Sequence, residues 1–200
     1  MRTRRAVILG LGGAAGAIGF TLGLGWWQSR DQGSKGPDLL PLPIGGMDFA
    51  LADQRGNKLR PADWIGRPTL VFFGFTWCPD VCPTTLSDIS LWLEELGPDG
   101  DRLNIALISV DPERDTPAVL ADYLAPFDPR ITALTGPLDQ VEKAAAGFRA
   151  RFKKVYQGDG YTMDHTSGVF LFRADGRFAG IIDYHEDRRF ALPKIRRLLD

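Results

Sequence analysis

Cys78 and Cys82 are the only thiols in the chain, and both lie in one short segment, FTWCPDVCPTTL, from Phe75 to Leu86. Three kinds of chemistry are open to such a pair: a disulfide staple, a redox dithiol, or two arms of a metal site. A thioredoxin-type dithiol has the pattern Cys-X-X-Cys. Here Pro79, Asp80 and Val81 intervene. Residues i and i+4 of a helix share one face, with Cβ atoms roughly 5–6 Å apart. An unstrained disulfide needs about 3.5–4.5 Å. A bridge therefore requires an irregular first turn, for which the two prolines supply a reason. The wider separation suits two thiolates converging on one ion.

Two thiolates are soft donors that favour copper(I), zinc or an iron–sulfur cluster. A cluster needs more cysteines than this chain has. A structural zinc site normally has four ligands. Copper(I) is satisfied by two or three. Met47 and Met163 carry thioethers, but their contexts read as core or loop. The chain has two histidines. His165, in YTMDHTSGVFLF, stands at the lip of an expected strand, where a loop can approach Cys78. Asp164 or a backbone carbonyl would then fix its tautomer. His185, in DYHEDRR, reads as a surface residue. The plainer reading of any single histidine is a hydrogen-bonded surface group, and only the context of His165 argues against it.

The elements that must position these residues are legible in outline. TLVFFGF (Thr69–Phe75) is a continuous apolar run, the mark of a strand buried on both faces. The cysteine segment follows it directly. Leu86, Ile89, Leu93 and Leu96 then recur at helical spacing, ended by Gly97-Pro98. Asn104–Val110 reads as a second buried strand, Thr116–Leu124 as a helix, and Ile131–Leu134 as a short strand. Leu138, Val141 and Ala145 mark another helix. Strands at Gly168–Phe172 and Phe178–Ile182 flank the turn Asp175-Gly176, and a helix over Phe190–Leu199 closes the chain. Met47–Ala52 and Lys58–Leu59 flank a glycine turn, a hairpin pattern. The alternation predicts an α/β sandwich with a mixed sheet. In it the thiols sit at a helix N-terminus, whose free amides and dipole favour a thiolate.

Formal net charge is −1, with 24 basic and 25 acidic residues. That balance argues against a nucleic-acid partner, which demands a basic surface. The length suits one domain with a short appendage. Residues 1–27 form that appendage. Arg2, Arg4 and Arg5 precede an uncharged run from Ala6 to Trp27, long enough at about 1.5 Å per residue to cross a hydrocarbon core of roughly 30 Å. The expectation is a single-pass anchor, its basic end in the cytoplasm and the rest on the far side. A cleaved signal peptide is the competing reading, though no clear A-x-A site follows the run. Residues 28–43 read as a tether and 44–200 as the folded domain. In a bacterial host the domain would face the periplasm from the inner membrane, where thiols tend to be oxidised.

Several motifs occur together and in order: GGMDFALADQRGN, FFGFTWCPDVCP, SVDPERDTP (Ser109–Pro117), TALTG, and DHTSGVFLF followed by ADG. With these the chain resembles the Sco/SenC family, the membrane-tethered copper proteins of cytochrome c oxidase assembly. The resemblance implies a thioredoxin-like fold with an added N-terminal β-hairpin. It implies one copper ion per domain, as copper(I) or copper(II), held by Cys78, Cys82 and His165, with Asp80 in the ligand loop. The implied role is a copper metallochaperone for the binuclear copper A site of cytochrome c oxidase subunit II. Other copper chaperones or a thioredoxin-like reductant are the further partners it suggests. The alternative is a thiol–disulfide reductase, with Cys78 and Cys82 redox-active, that keeps the client's copper-site cysteines reduced. For SVDPERDTP the reading is structural: Asp111 and Arg114 hold a strand end. The short VYQGDGY segment (Val155–Tyr161) limits the reach of His165.

Overall fold

The computed structural model describes residues 40–200. The expected membrane span, and the tether as far as residue 39, lie outside the described residues. Among the described residues no helix is long and apolar enough to cross a membrane. Core packing begins just ahead of Ile44: Pro41 is buried, and the Leu42 amide donates to the Gly147 carbonyl at 2.8 Å.

In chain order the strands are β1 (Leu51–Asp53), β2 (Lys58–Leu59), β3 (Thr69–Gly74), β4 (Asn104–Ser109), β5 (Ile131–Thr135), β6 (Phe152–Gln157), β7 (Gly160–His165), β8 (Val169–Phe172) and β9 (Phe178–Ile182). The helices are α1 (Val81–Leu96), α2 (Pro117–Leu124), α3 (Leu138–Phe148) and α4 (Arg188–Leu199). Seven strands make one mixed sheet in the order β2-β1-β5-β4-β3-β8-β9. Its centre is parallel, β3 to β4 to β5. Antiparallel hairpins flank it on both sides. The N-terminal hairpin expected from the sequence is β1–β2, docked on β5.

Every residue of β3 is buried, as its unbroken apolar run requires. The period of two splits the strand between two cores. Val71, Phe73 and Phe75 face α3 and the N-terminal segment. Leu70 and Phe72 face α1, α2 and α4. Leu86, Ile89, Leu93 and Leu96 lie buried along one side of α1, as the helical spacing predicts. Pro83 is tolerated there because it occupies the first turn, where its missing N–H has no helical partner.

The ribbon of β6 and β7 is the one element pair the pattern did not reveal. It forms a separate two-stranded sheet, paired from Phe152↔His165 to Gln157↔Gly160. Most of its residues are exposed or half-buried on both faces, so no apolar alternation marks it. The turn GDG (Gly158–Gly160) was the available signal. His165 is therefore the last residue of a ribbon strand, not a loop residue at the lip of β8.

Candidate metal centre

Cys78 lies outside α1, which begins at Val81 after Asp80 as its N-cap. The premise that both thiols occupy one helical face is thus corrected. Asp80 makes no side-chain cap bond to the helix. The Cys78 sulfur takes that place, accepting the Cys82 amide at 3.3 Å. Cys82 follows one residue into the helix, points at the sheet and is fully buried. It packs against Gly74, where an added Cβ would stand 2.9 Å from the Cys82 sulfur. Both cysteines are free thiols, Cys78 half-buried.

His165 reaches the pair from the ribbon. Its Nε2 is 3.6 Å from Cys82 Sγ. Nδ1 donates to the Thr166 carbonyl at 3.0 Å, which leaves the Nε2 lone pair facing the thiols. The tautomer is set by that carbonyl; Asp164, the other candidate, is exposed. The ring also stands edge-on to the buried Phe75 at 5.7 Å. Ligand atoms of Cys78, Cys82 and His165 all lie within 4.8 Å of one another. VYQGDGY is long enough after all, because its hairpin turn carries β7 back to the cysteines.

The two thiols are electrostatically unequal. Cys78 is pulled down to about 5, chiefly by a hydrogen bond from the Cys82 thiol, with the Cys82 and Asp80 amides adding and burial opposing. Cys82 moves far upward, first because its S–H is committed to Cys78 and then because it is buried. The pair therefore rests as one thiolate and one thiol, a nucleophile or metal arm in front and a protonated partner behind.

Behind the cysteines lies SVDPERDTP, and it does more than hold a strand end. Asp115 is fully buried. It accepts from the Thr76 amide at 3.1 Å, the Thr76 hydroxyl at 2.6 Å and the Ser109 hydroxyl at 2.6 Å. Burial raises its carboxyl, and these bonds oppose the rise. Thr76 opens the turn that carries Cys78, so Asp115 fixes the cysteine arm from below. Arg114 pairs with the buried Asp111, which also accepts from the Tyr161 hydroxyl at 2.9 Å. Burial, and then that bond, push Tyr161 up to about 12. Met47 and Met163 are core residues. His185 is exposed, its ring tilted against that of Tyr184 at 4.0 Å, and is not brought to the cluster.

Two sulfurs and an imidazole nitrogen converge at the head of a helix, and the SCO1/SenC family model matches residues 41–200. The chain belongs to the SCO1/SenC family. Protein SCO1, mitochondrial, of Saccharomyces cerevisiae is 36% identical over 157 residues, covering 76% of this chain and 53% of that protein. The human SCO2 homolog is 35% identical over 196 residues, 96% of this chain and 72% of that protein. The chain thus spans about half the length of its yeast SCO1 relative. Among solved structures, Bradyrhizobium japonicum ScoI with copper bound is 44% identical with TM-score 0.71, covering 75% of this chain and 96% of that one. Yeast Sco1 with copper bound is 34% identical with TM-score 0.69, covering 79% and 87%. The thioredoxin-like fold of this SCO1/SenC member is the fold of those structures. What reading the sequence missed is Asp115, Tyr161 and Gly74. Asp115 and Tyr161 act on partners 39 and 50 positions away, and the close approach of Gly74 to Cys82 depends on how the helix folds back on the strand, so no local pattern marks them.

Proposed function

We propose that this chain is a copper carrier that loads the binuclear copper A site of cytochrome c oxidase subunit II. One observation carries the reading: two cysteine sulfurs and one imidazole nitrogen meet within 4.8 Å in a SCO1/SenC domain. Copper is cargo here. A soft set of three donors suits copper(I) and leaves a structural zinc site one ligand short. Cys78, half-buried where Cys82 is fully buried, is the outer arm and the first to be shared with an acceptor's thiolate. Cys82 gives up its proton on binding, because a thiolate is the ligand. His165 supplies a neutral nitrogen through Nε2. The N-terminal run would hold the domain at the inner membrane, facing the periplasm, and raise its effective concentration near a membrane-embedded client. Other copper chaperones would supply the ion.

The test is a copper(I) titration of the full chain against a competing chelator, with Cys78→Ser, Cys82→Ser and His165→Ala. Each substitution is expected to weaken binding, the cysteine changes most. If all three bind as tightly as the parent, the reading fails.

The unequal thiols favour a second reading, a reductase of the client's copper-site cysteines. The Cys78 thiolate would attack a client disulfide, and Cys82 would resolve the mixed disulfide. The client dithiol leaves reduced and Cys78–Cys82 leaves oxidised, to be restored by a thioredoxin-like reductant. Full oxidase assembly with His165→Ala would favour this reading, since it needs only the thiols.

A further inference from the structure

The β6–β7 ribbon shares no ladder with the main sheet, and a lone two-stranded ribbon is marginal by itself. Contacts outside the ribbon must set where its last residue, His165, points. Apolar packing supplies part of this. Met163 is buried, and Phe152 and Tyr161 pack against the core that contains Cys82. The polar part is concentrated in one turn. Among the described residues, hydrogen bonds from residues 152–165 to the rest of the domain end on Asp111, Glu113 or Arg114. The exceptions are those of His165 itself to Cys82 and Thr166.

Glu113 takes three of these bonds, from Lys154 and Tyr161, and Arg114 makes one, but Arg114 also lies against an aromatic ring of each arm. Its Nη1 donates to the Tyr161 carbonyl at 3.1 Å. Its guanidinium lies 3.8 Å from the centre of the Tyr161 ring and 5.4 Å from that of Trp77. Trp77 precedes Cys78; Tyr161 lies on the same face of β7 as His165, two pleats away. The next residue, Asp115, grips Thr76. A single turn therefore holds the cysteine arm with one residue and the histidine arm with its neighbour. A planar fork that donates in its plane and stacks on its face suits this place, and an ammonium does not.

We propose that Arg114 is the positioning residue of this site. It locks the histidine arm to the cysteine arm, and so determines whether His165 completes the donor set. Without it the two thiols still take a soft ion, while the imidazole is lost. Only the metal readout of this proposal rests on the copper reading.

The test uses the full chain with Arg114→Met, and with Arg114→Lys, which keeps the charge but not the planar fork. The first readout is metal-free amide hydrogen exchange. In Arg114→Met the Thr162 and Asp164 amides, at the hydrogen-bonded positions of the ribbon ladder, are expected to exchange about tenfold faster, as local opening of the ribbon requires, with Phe72 and Leu107 unchanged. The second readout takes copper(II) as the probe. The histidine nitrogen coupling in its electron paramagnetic resonance spectrum is assigned by its loss in His165→Ala. Arg114→Met is expected to lose that coupling and to bind copper(II) about tenfold more weakly, while copper(I) still binds the thiols. Parental coupling with parental ribbon exchange overturns the proposal. So does equal loosening of ribbon and core, which marks a general stability role. If the parent binds no copper, the copper reading falls, and the exchange data alone decide the role of Arg114. Should Arg114→Met not fold, Arg114→Lys answers the same question with the same outcomes.

Discussion

Cys78 and Cys82 differ because one sulfur accepts amides at a helix start and the other is sealed behind it. Cys78 should therefore be alkylated in the reduced, metal-free chain with a midpoint near pH 5, where its thiol is held at about 5. Cys82 should stay unmodified. A midpoint close to the ordinary 9.0 would remove the basis for a resting thiolate. Stability follows with a definite sign. Between about 5 and 9.0 the native pair holds one proton while the unfolded pair holds two, so stability rises with pH. Above 9.0 the unfolded thiols lose theirs and native Cys82 keeps its own, so the trend reverses. Urea unfolding of the parent should show this rise and fall relative to the Cys78→Ser/Cys82→Ser double variant. Parallel pH profiles for the two proteins would contradict it.

At the level of elements, the site is a meeting of three: the end of β3, the start of α1 and the end of β7. Gly74 is the closest of these contacts. A methyl group there meets the Cys82 sulfur at 2.9 Å and Leu107 at 3.0 Å. Gly74→Ala should push Cys82 out of line, weaken copper(I) binding and cost about 1–3 kcal/mol by overpacking. Chelator competition and denaturant unfolding measure the two effects, and parental values in both would show that the close approach is unimportant. The helices were legible because each buries one apolar face with a regular period, and the central strands because they are unbroken apolar runs buried on both faces. The β6–β7 ribbon was not, because it is wet on both sides and carries no such period.

Across the whole molecule, the central sheet separates two cores, and the cysteine segment crosses between them: Cys82 packs with one and Leu86 with the other. Phe148 centres the first core. Its ring stands 5.4 Å from Phe73 and from Phe172, 5.7 Å from Phe170 and 6.3 Å from Phe49. Phe148→Ala should cost about 3–5 kcal/mol in denaturant unfolding, the range for a buried aromatic cavity. Where the variant is folded, copper should still bind one per chain, because no ligand comes from α3. Little loss of stability would mean that this core can collapse around the gap.

The sequence by itself determined the donor types, the buried strand that ends at the cysteines, the helix that begins there and the family. Residue chemistry and local periodicity carry that information within a few positions. Only the tertiary structure decided that Cys78 caps the helix from outside it. Only there does His165 arrive on a ribbon, and only there does the turn from Asp111 to Asp115 hold both arms. Those contacts join residues 39 and 50 positions apart. A buried carboxylate and a stacked guanidinium acquire their roles from partners that folding alone brings within reach.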